Sequence, residues 1–150
     1  MVTRNSKAEV TYHEETKTGE YTGFTLVVGV PPVPASRPRI TRWGAYYGKT
    51  YTAYRKAMEE AIPNSERPQL TGDLGATIEF VCHRPKSTKR HCPNGDIDNH
   101  MKSILDSVVG KKDKPKLYIE DDMQITHVDA LKRWTEDGEK PHTVISIGKI

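Results

Sequence analysis

The sequence lacks the features of a membrane-spanning or disulfide-rich protein. Only two of its 150 residues are cysteine, Cys82 and Cys92. No run of about 18 consecutive apolar residues occurs, which excludes an evident transmembrane helix. Residues 1–6 also lack the apolar core of a signal peptide. We therefore expect no association with a membrane, and a reducing cytoplasm is the default location.

Acidic residues are absent from two long stretches of the chain. No Asp or Glu occurs between Glu20 and Glu59 or between Glu79 and Asp96, although the net charge is only +3. Segregated positive charge is typical of surfaces that bind polyanions. Ordinary solvated loops are the alternative. The side chains that we expect to contact nucleic acid in these stretches are Arg37, Arg39, Arg42, Lys86, Lys89 and Arg90.

Apolar periodicity predicts an α+β fold, because helices and strands mix without a regular βαβ repeat. We expect one small domain over residues 21–150, with a mixed sheet and two main helices. Residues 1–20 form either a flexible tail or a weak first strand. Predicted strands cover 24–30, 76–82, 125–131 and 143–148, and predicted helices cover 52–62 and the segment from 96–98 to 110.

Four aspartates and one lysine form the pattern most indicative of function. Asp96 and Asp98 open the second predicted helix, Lys102 follows Asp98 by one turn, and Asp121 and Asp122 follow the helix. Gathered carboxylates repel one another unless a cation holds them. Oxygen ligands suit Mg²⁺ or Mn²⁺. The pattern indicates metal-assisted phosphodiester hydrolysis, in which Lys102 contacts the phosphate or orients the water.

The same residues also have simpler interpretations. Asp96 and Asp98 can cap a helix, and Asp98 with Lys102 can be a surface ion pair worth about 0.3–0.5 kcal/mol. Asp106 is interpreted as a structural partner on its helix. Cys82-His83 and His91-Cys92 invite a zinc interpretation, but adjacent ligand pairs do not match the usual C-x₂₋₄-C spacing.

The joint pattern resembles the RusA family of Holliday junction resolvases. The segments that carry the resemblance are Asp96-Ile97-Asp98-Asn99, Lys102, Leu105-Asp106 and Asp121-Asp122-Met123-Gln124-Ile125. Upstream, Gly29-Val30-Pro31, Pro34 and Arg37-Pro38-Arg39 resemble the N-terminal half of the family, so the resemblance spans about residues 24–148. Two departures stand out, the added residues 1–20 and the longer connection through Lys111–Lys116.

The resemblance implies a specific activity and a set of roles. Asp96, Asp98 and Asp122 correspond to the metal-binding carboxylates, Asp121 to a helper and Lys102 to the catalytic lysine. The family implies a Mg²⁺- or Mn²⁺-dependent homodimer, without a small-molecule cofactor, that nicks four-way DNA junctions symmetrically in recombination and repair. It also implies the cytoplasm of a bacterial cell or of a phage-infected host.

Two other functions stay open from the sequence. The first is a different Mg²⁺-dependent nuclease that acts on flaps, replication forks or RNA. The second is a nucleic-acid-binding module without catalysis, whose acids only cap helices and form ion pairs.

Overall fold

The computed structural model describes residues 2–4, 7–15, 17, 19–36 and 38–150. Its helices are α1 (Lys49–Ala61) and α2 (Ile97–Val109), and a short 3₁₀ turn covers Asp122–Gln124. Its strands are β1 (Val2–Arg4), β2 (Ala8–Glu14), β3 (Tyr21–Val28), β4 (Arg39–Thr41), β5 (Gly44–Tyr46), β6 (Leu74–Cys82), β7 (Gly110–Lys111), β8 (Lys114–Pro115), β9 (Ile125–Trp134) and β10 (His142–Lys149).

Six of these strands form one mixed sheet. Their order is β1-β2-β3-β10-β6-β9, and neighbours are antiparallel except for the parallel pair β6–β9. Parallel neighbours need a crossover connection. Here the chain leaves β6, runs through α2 and the 3₁₀ turn, and returns as β9. The predicted α+β class, with a mixed sheet and two helices in one small domain, is confirmed.

Strand β2 extends the sheet beyond the predicted strands. The sequence leaves residues 1–20 between a tail and a weak first strand, and Ala8–Glu14 pairs with β3 as a full strand. Ala8, Val10 and Tyr12 are buried, while the residues between them are less so. This alternation with a period of two places one face of β2 on the core.

Both helices bury the apolar stripe that their sequences predict. Helix α1 buries Tyr51, Tyr54, Met58 and Ala61, and α2 buries Ile104, Leu105 and Val108. These side chains share one core cluster with residues of β2, β3, β6 and β10. The sheet and the two helices therefore support each other. Neither helix is long and apolar enough to cross a membrane, as judged over the residues that the structure describes.

The lysine-rich segment after α2 forms a short hairpin of β7 and β8 that is fastened to the end of α1. Lys116 is buried, and its Nζ donates to the carbonyl oxygens of Glu59 and Ile62, each at 2.7 Å. These carbonyls lie at the C-terminal end of α1, where the last carbonyl groups of a helix have no hydrogen-bond donor within the helix. Lys111 and Lys114 pair with the Glu59 carboxylate at 3.1 and 3.7 Å. Burial lowers the pKa of Lys116.

Candidate active site

Lys132 of β9 holds the loop that delivers Asp96 to the start of α2. Its Nζ donates to the carbonyl oxygens of Pro93 (2.9 Å) and Gly95 (2.6 Å). Asp96 is the N-cap residue of α2, and its side chain makes no capping hydrogen bond. The carboxylate is exposed and therefore available to a ligand. Lys132 was not predicted as a site residue, because nothing local in the sequence connects β9 to this loop.

His100 fixes the same loop from the buried side of α2. Its Nε2 lies 3.0 Å from the carbonyl oxygen of Asn94, and its ring lies 5.1 Å from that of Phe80. Burial lowers the pKa of His100, because a charged imidazole would lose its hydration. Because a carbonyl oxygen can only accept, Nε2 of His100 donates this hydrogen bond to Asn94. Gly95 has φ +88°, and a Cβ there would lie 2.7 Å from Pro34, so the turn requires glycine.

Gln124 shapes the turn that carries Asp121 and Asp122. Its Oε1 accepts from the backbone N–H groups of Glu120 (2.8 Å) and Asp121 (3.0 Å). Its Nε2 donates to the carbonyl oxygens of Leu70 and Gly72, which lie in the segment before β6. The Gln of the D-D-x-Q signature thus ties the aspartate turn to the sheet. This positioning role of Gln124 was not predicted from the sequence.

Asp121 and Asp122 shift each other's pKa in opposite directions. A hydrogen bond from the Met123 N–H to Oδ1 (2.9 Å), and a second from Asp122, lower the pKa of Asp121. Burial, and then the neighbouring Asp121, raise the pKa of Asp122. Asp106 raises it further, whereas Lys102 lowers it. Asp106 and Lys102, both on α2, therefore act electrostatically on Asp122.

A cavity of about 500 Å³ brings this acidic cluster against cations. Asp106, Asp121 and Asp122 line it together with Arg55 of α1 and the hairpin residues Gly110–Asp113. Lys102 Nζ lies 3.9 Å from Asp106 Oδ2. The ion-pair partner of Lys102 is thus Asp106, whereas the sequence suggested Asp98 for that pair, and Asp106 also lines the cavity. Arg55 was not predicted as a site residue. Only the cavity shows that it lies beside the aspartates, and no pattern in the sequence indicates this.

The structure joins only some of the predicted ligands. Asp121 and Asp122 line one cavity with Asp106, whereas Asp96 and Asp98, at the start of α2, are not part of its lining. Over the described residues, no three Asp, Glu, His or Cys side chains are grouped to hold a metal ion. A four-carboxylate site therefore stays a prediction.

The Asp121–Asp122 pair nevertheless fits a hard cation. Its donors are all oxygens, and a cation would counteract the causes that raise the pKa of Asp122, which are burial first and then the neighbouring Asp121. Mg²⁺ usually takes one or two protein carboxylates and keeps its other positions for water and phosphate. Two carboxylates beside an open cavity match that requirement.

Most of the predicted nucleic-acid-binding cations lie on the surface. Arg37 lies outside the described residues. The others are exposed, and none of them forms a salt bridge with another described residue. They are Arg39, Arg42, Lys86, Lys89 and Arg90. Their charges are available to a polyanion.

We expect Arg39→Ala to weaken DNA binding through lost phosphate contact. The slope of log binding constant against log salt concentration should fall in magnitude by about 0.9, the value for one phosphate contact on duplex DNA. Fluorescence anisotropy with labelled DNA between about 50 and 200 mM salt measures it. Lys149→Ala is the matched control, because that ammonium already pairs with Glu20 at 3.3 Å. A slope for Arg39→Ala equal to that of the wild type would contradict the assignment.

Comparison with known proteins identifies a family. A protein-family model described as Endodeoxyribonuclease RusA matches residues 29–148. The matched region contains the Asp96–Asn99 segment, Lys102 and the Asp121–Gln124 turn. No curated protein matches the chain. The match confirms the resemblance that the signature residues carry.

Proposed function

Because the chain belongs to the RusA family of endodeoxyribonucleases, we propose that it resolves four-way DNA junctions by metal-dependent hydrolysis, with paired symmetrical nicks, in recombination and repair. The observation that carries this proposal is the family match over residues 29–148, within which an aspartate pair lies in a cavity with Arg55 and near Lys102. Arg55, Lys111 and Lys112 line the same cavity, so positive charge that attracts phosphate lies beside the carboxylates.

In this proposal Asp121 and Asp122, with Asp96 and Asp98, would hold Mg²⁺ or Mn²⁺, which supplies a Lewis acid for the phosphoryl oxygens and activates water. Lys102 contacts the scissile phosphate as a compact positive charge. Asp106 orients Lys102 through their ion pair. Arg55 and the lysines of the β7–β8 hairpin bind the neighbouring phosphates.

A panel of labelled substrates tests this function. Four-way junction, fork, flap and linear duplex are incubated with the protein, with and without Mg²⁺ or Mn²⁺. We expect metal-dependent cleavage of the junction in preference to the other three substrates. Stronger cleavage of flaps or forks would assign the chain to another class of metal-dependent nuclease. Binding without any cleavage would leave only a nucleic-acid-binding module.

Symmetrical incision requires two active sites related by a two-fold axis. One chain supplies a single set of signature carboxylates, so we propose a C₂ homodimer. The sequence contains no heptad seam, which argues for a dimer built from a strand edge or a helix face rather than a coiled coil. Strand β9 is at one edge of the sheet and pairs only with β6 among the described strands. Its free edge is a surface of the required kind.

We expect sedimentation equilibrium at micromolar protein to give twice the chain mass of 16.9 kDa. In a cruciform plasmid, both nicks should fall within the lifetime of one complex, so the product should be linear DNA. A plasmid with a single nick site serves as the control for independent nicking. A strictly monomeric protein that releases only nicked circles would leave nuclease chemistry possible but would defeat the resolvase proposal.

A further inference from the structure

The hairpin of β4 and β5 is separate from the main sheet. Its register pairs Ile40 with Ala45 and Thr41 with Gly44, which leaves Arg42 and Trp43 as the two turn residues. Thr41 Oγ1 donates to the carbonyl oxygen of Gly44 at 3.1 Å and accepts from the Trp43 N–H at 3.3 Å. The turn is therefore tied together by a side chain, and it presents Trp43 at a defined position.

Trp43 leaves a large apolar surface in water. It is 82% exposed, and Ile40 of the same hairpin is 85% exposed. These are the two highest values among the exposed large hydrophobic residues of the described chain. A tryptophan has 150–250 Å² of surface to bury, so its exposure on a hairpin turn indicates a partner.

The charge of the hairpin identifies the chemistry of that partner. The Arg42 guanidinium lies 4.3 Å from the centre of the Trp43 ring, and Arg39 is exposed on β4. No acidic residue occurs from 21 to 58. A second copy of this hairpin would bring like charges together, which is unfavourable. A nucleic-acid base combines a flat apolar face with a nearby phosphate, and it therefore fits both the indole and the arginines.

The hairpin leads directly to the carboxylate cavity. Tyr47 packs on Tyr51 with ring centres 5.2 Å apart, and Arg55 lies 5.4 and 5.8 Å from those two rings. Arg55 also lines the cavity that contains Asp122. Trp43 precedes Tyr47 by four residues, so their Cα atoms are at most about 14 Å apart. DNA held at the cavity thus has its neighbouring nucleotides within reach of the hairpin.

We propose that Trp43 stacks on a base at the branch point of a DNA junction, where base pairs have lost a stacking neighbour. The inference rests on the proposed function and adds an element that recognises the junction. In linear duplex every base is already stacked on both faces, so an indole gains little there. Trp43 is therefore a specificity-determining residue that contributes to the preference for junctions.

The test compares Trp43→Ala and Trp43→Phe with the wild-type protein, in chelator so that no DNA is cleaved. The probes are a four-way junction with 2-aminopurine at the branch point and a linear duplex with 2-aminopurine at its centre. We expect Trp43→Ala to weaken junction binding about 5- to 150-fold, the range for one base stacked on an aromatic ring. Trp43→Phe should retain most of the affinity. Duplex affinity should change less than about twofold, because no stacked base is lost there.

Wild-type protein should also change the 2-aminopurine fluorescence of the junction, and Trp43→Ala should not. Ile150→Ala is the matched control, because Ile150 is an apolar residue that directly follows β10 and is 78% exposed. Because Trp43 is exposed, all variants should show the thermal unfolding curve of the wild type.

Several outcomes would overturn the inference. Equal loss of affinity for junction and duplex would make Trp43 a general DNA contact, and a lower sedimentation mass of Trp43→Ala would make the hairpin a dimer contact. If the wild type prefers junctions and Trp43→Ala keeps that preference, the stacking inference fails alone. If the wild type has no preference for junctions, the proposed function fails and this inference fails with it.

Discussion

Asp122→Asn is expected to abolish cleavage of a four-way junction while junction binding persists or tightens. The substitution nearly preserves shape but removes a negative ligand from the aspartate pair, in which burial and then Asp121 already raise the pKa of Asp122. A bound metal contributes several kcal/mol of charge stabilisation in the transition state, and each 1.36 kcal/mol is a factor of ten. The cleavage rate should therefore fall about 100- to 1,000-fold or more. Binding should not weaken, because repulsion toward phosphate decreases.

The measurement is single-turnover cleavage of labelled junction in Mg²⁺, with affinity determined separately in chelator. Asp137→Asn is the matched control, since this exposed aspartate lies in the turn that follows β9, at the opposite end of that strand from Asp122. Asp98→Asn and Asp96→Asn are measured beside it. Near-wild-type cleavage by Asp98→Asn would show that Asp98 is not a metal ligand. The same result for Asp122→Asn would contradict the assignment of the site.

Lys102→Ala is expected to lower the chemical rate much more than it weakens binding. Lys102 acts electrostatically on Asp122 and lies 3.9 Å from Asp106, while its side chain is mostly exposed and can reach a phosphate. Removing one group that stabilises transition-state charge typically costs about 100- to 1,000-fold in rate. Most of the phosphate affinity comes instead from the basic loops.

Single-turnover rates at saturating enzyme separate the two effects. Lys86→Ala is the matched comparison, because that lysine lies in the exposed basic loop before α2 and should lose affinity without losing rate. Asp106→Asn should show a smaller loss of rate than Lys102→Ala if Asp106 only orients the lysine. A Lys102→Ala protein that keeps its rate and loses affinity would make Lys102 a binding residue.

Local patterns in the sequence determined the main elements and the signature. The β-branched run of β3 and the apolar spacing of α1 and α2 each lie within one segment, so their periods of 2.0 and 3.6 residues were visible without a fold. The Asp96–Asn99 and Asp121–Gln124 segments were visible for the same reason. They led to the family, which the match over residues 29–148 then confirmed.

The strand status of residues 8–14 depended on tertiary context. Its alternation of Ala8, Val10 and Tyr12 is short and contains few large apolar residues, so it was compatible with a tail. Pairing with β3 provides the backbone hydrogen bonds of this segment, and burial against the core stabilises one of its faces. Strand preference of this kind reflects packing against neighbours more than the intrinsic preference of the residues.

Only the tertiary structure decided how the candidate site is supported. Lys132 reaches a carbonyl oxygen 37 residues away, Gln124 reaches one 54 residues away, and Lys116 reaches the end of α1 across 54 residues. Such contacts leave no local periodicity, because they depend on strand order and on the crossover through α2. The same holds for the cavity in which Arg55 meets Asp106 and Asp122. Residue types and their spacing in the sequence indicated the chemistry, while the packing of distant segments determined which of these side chains face one another.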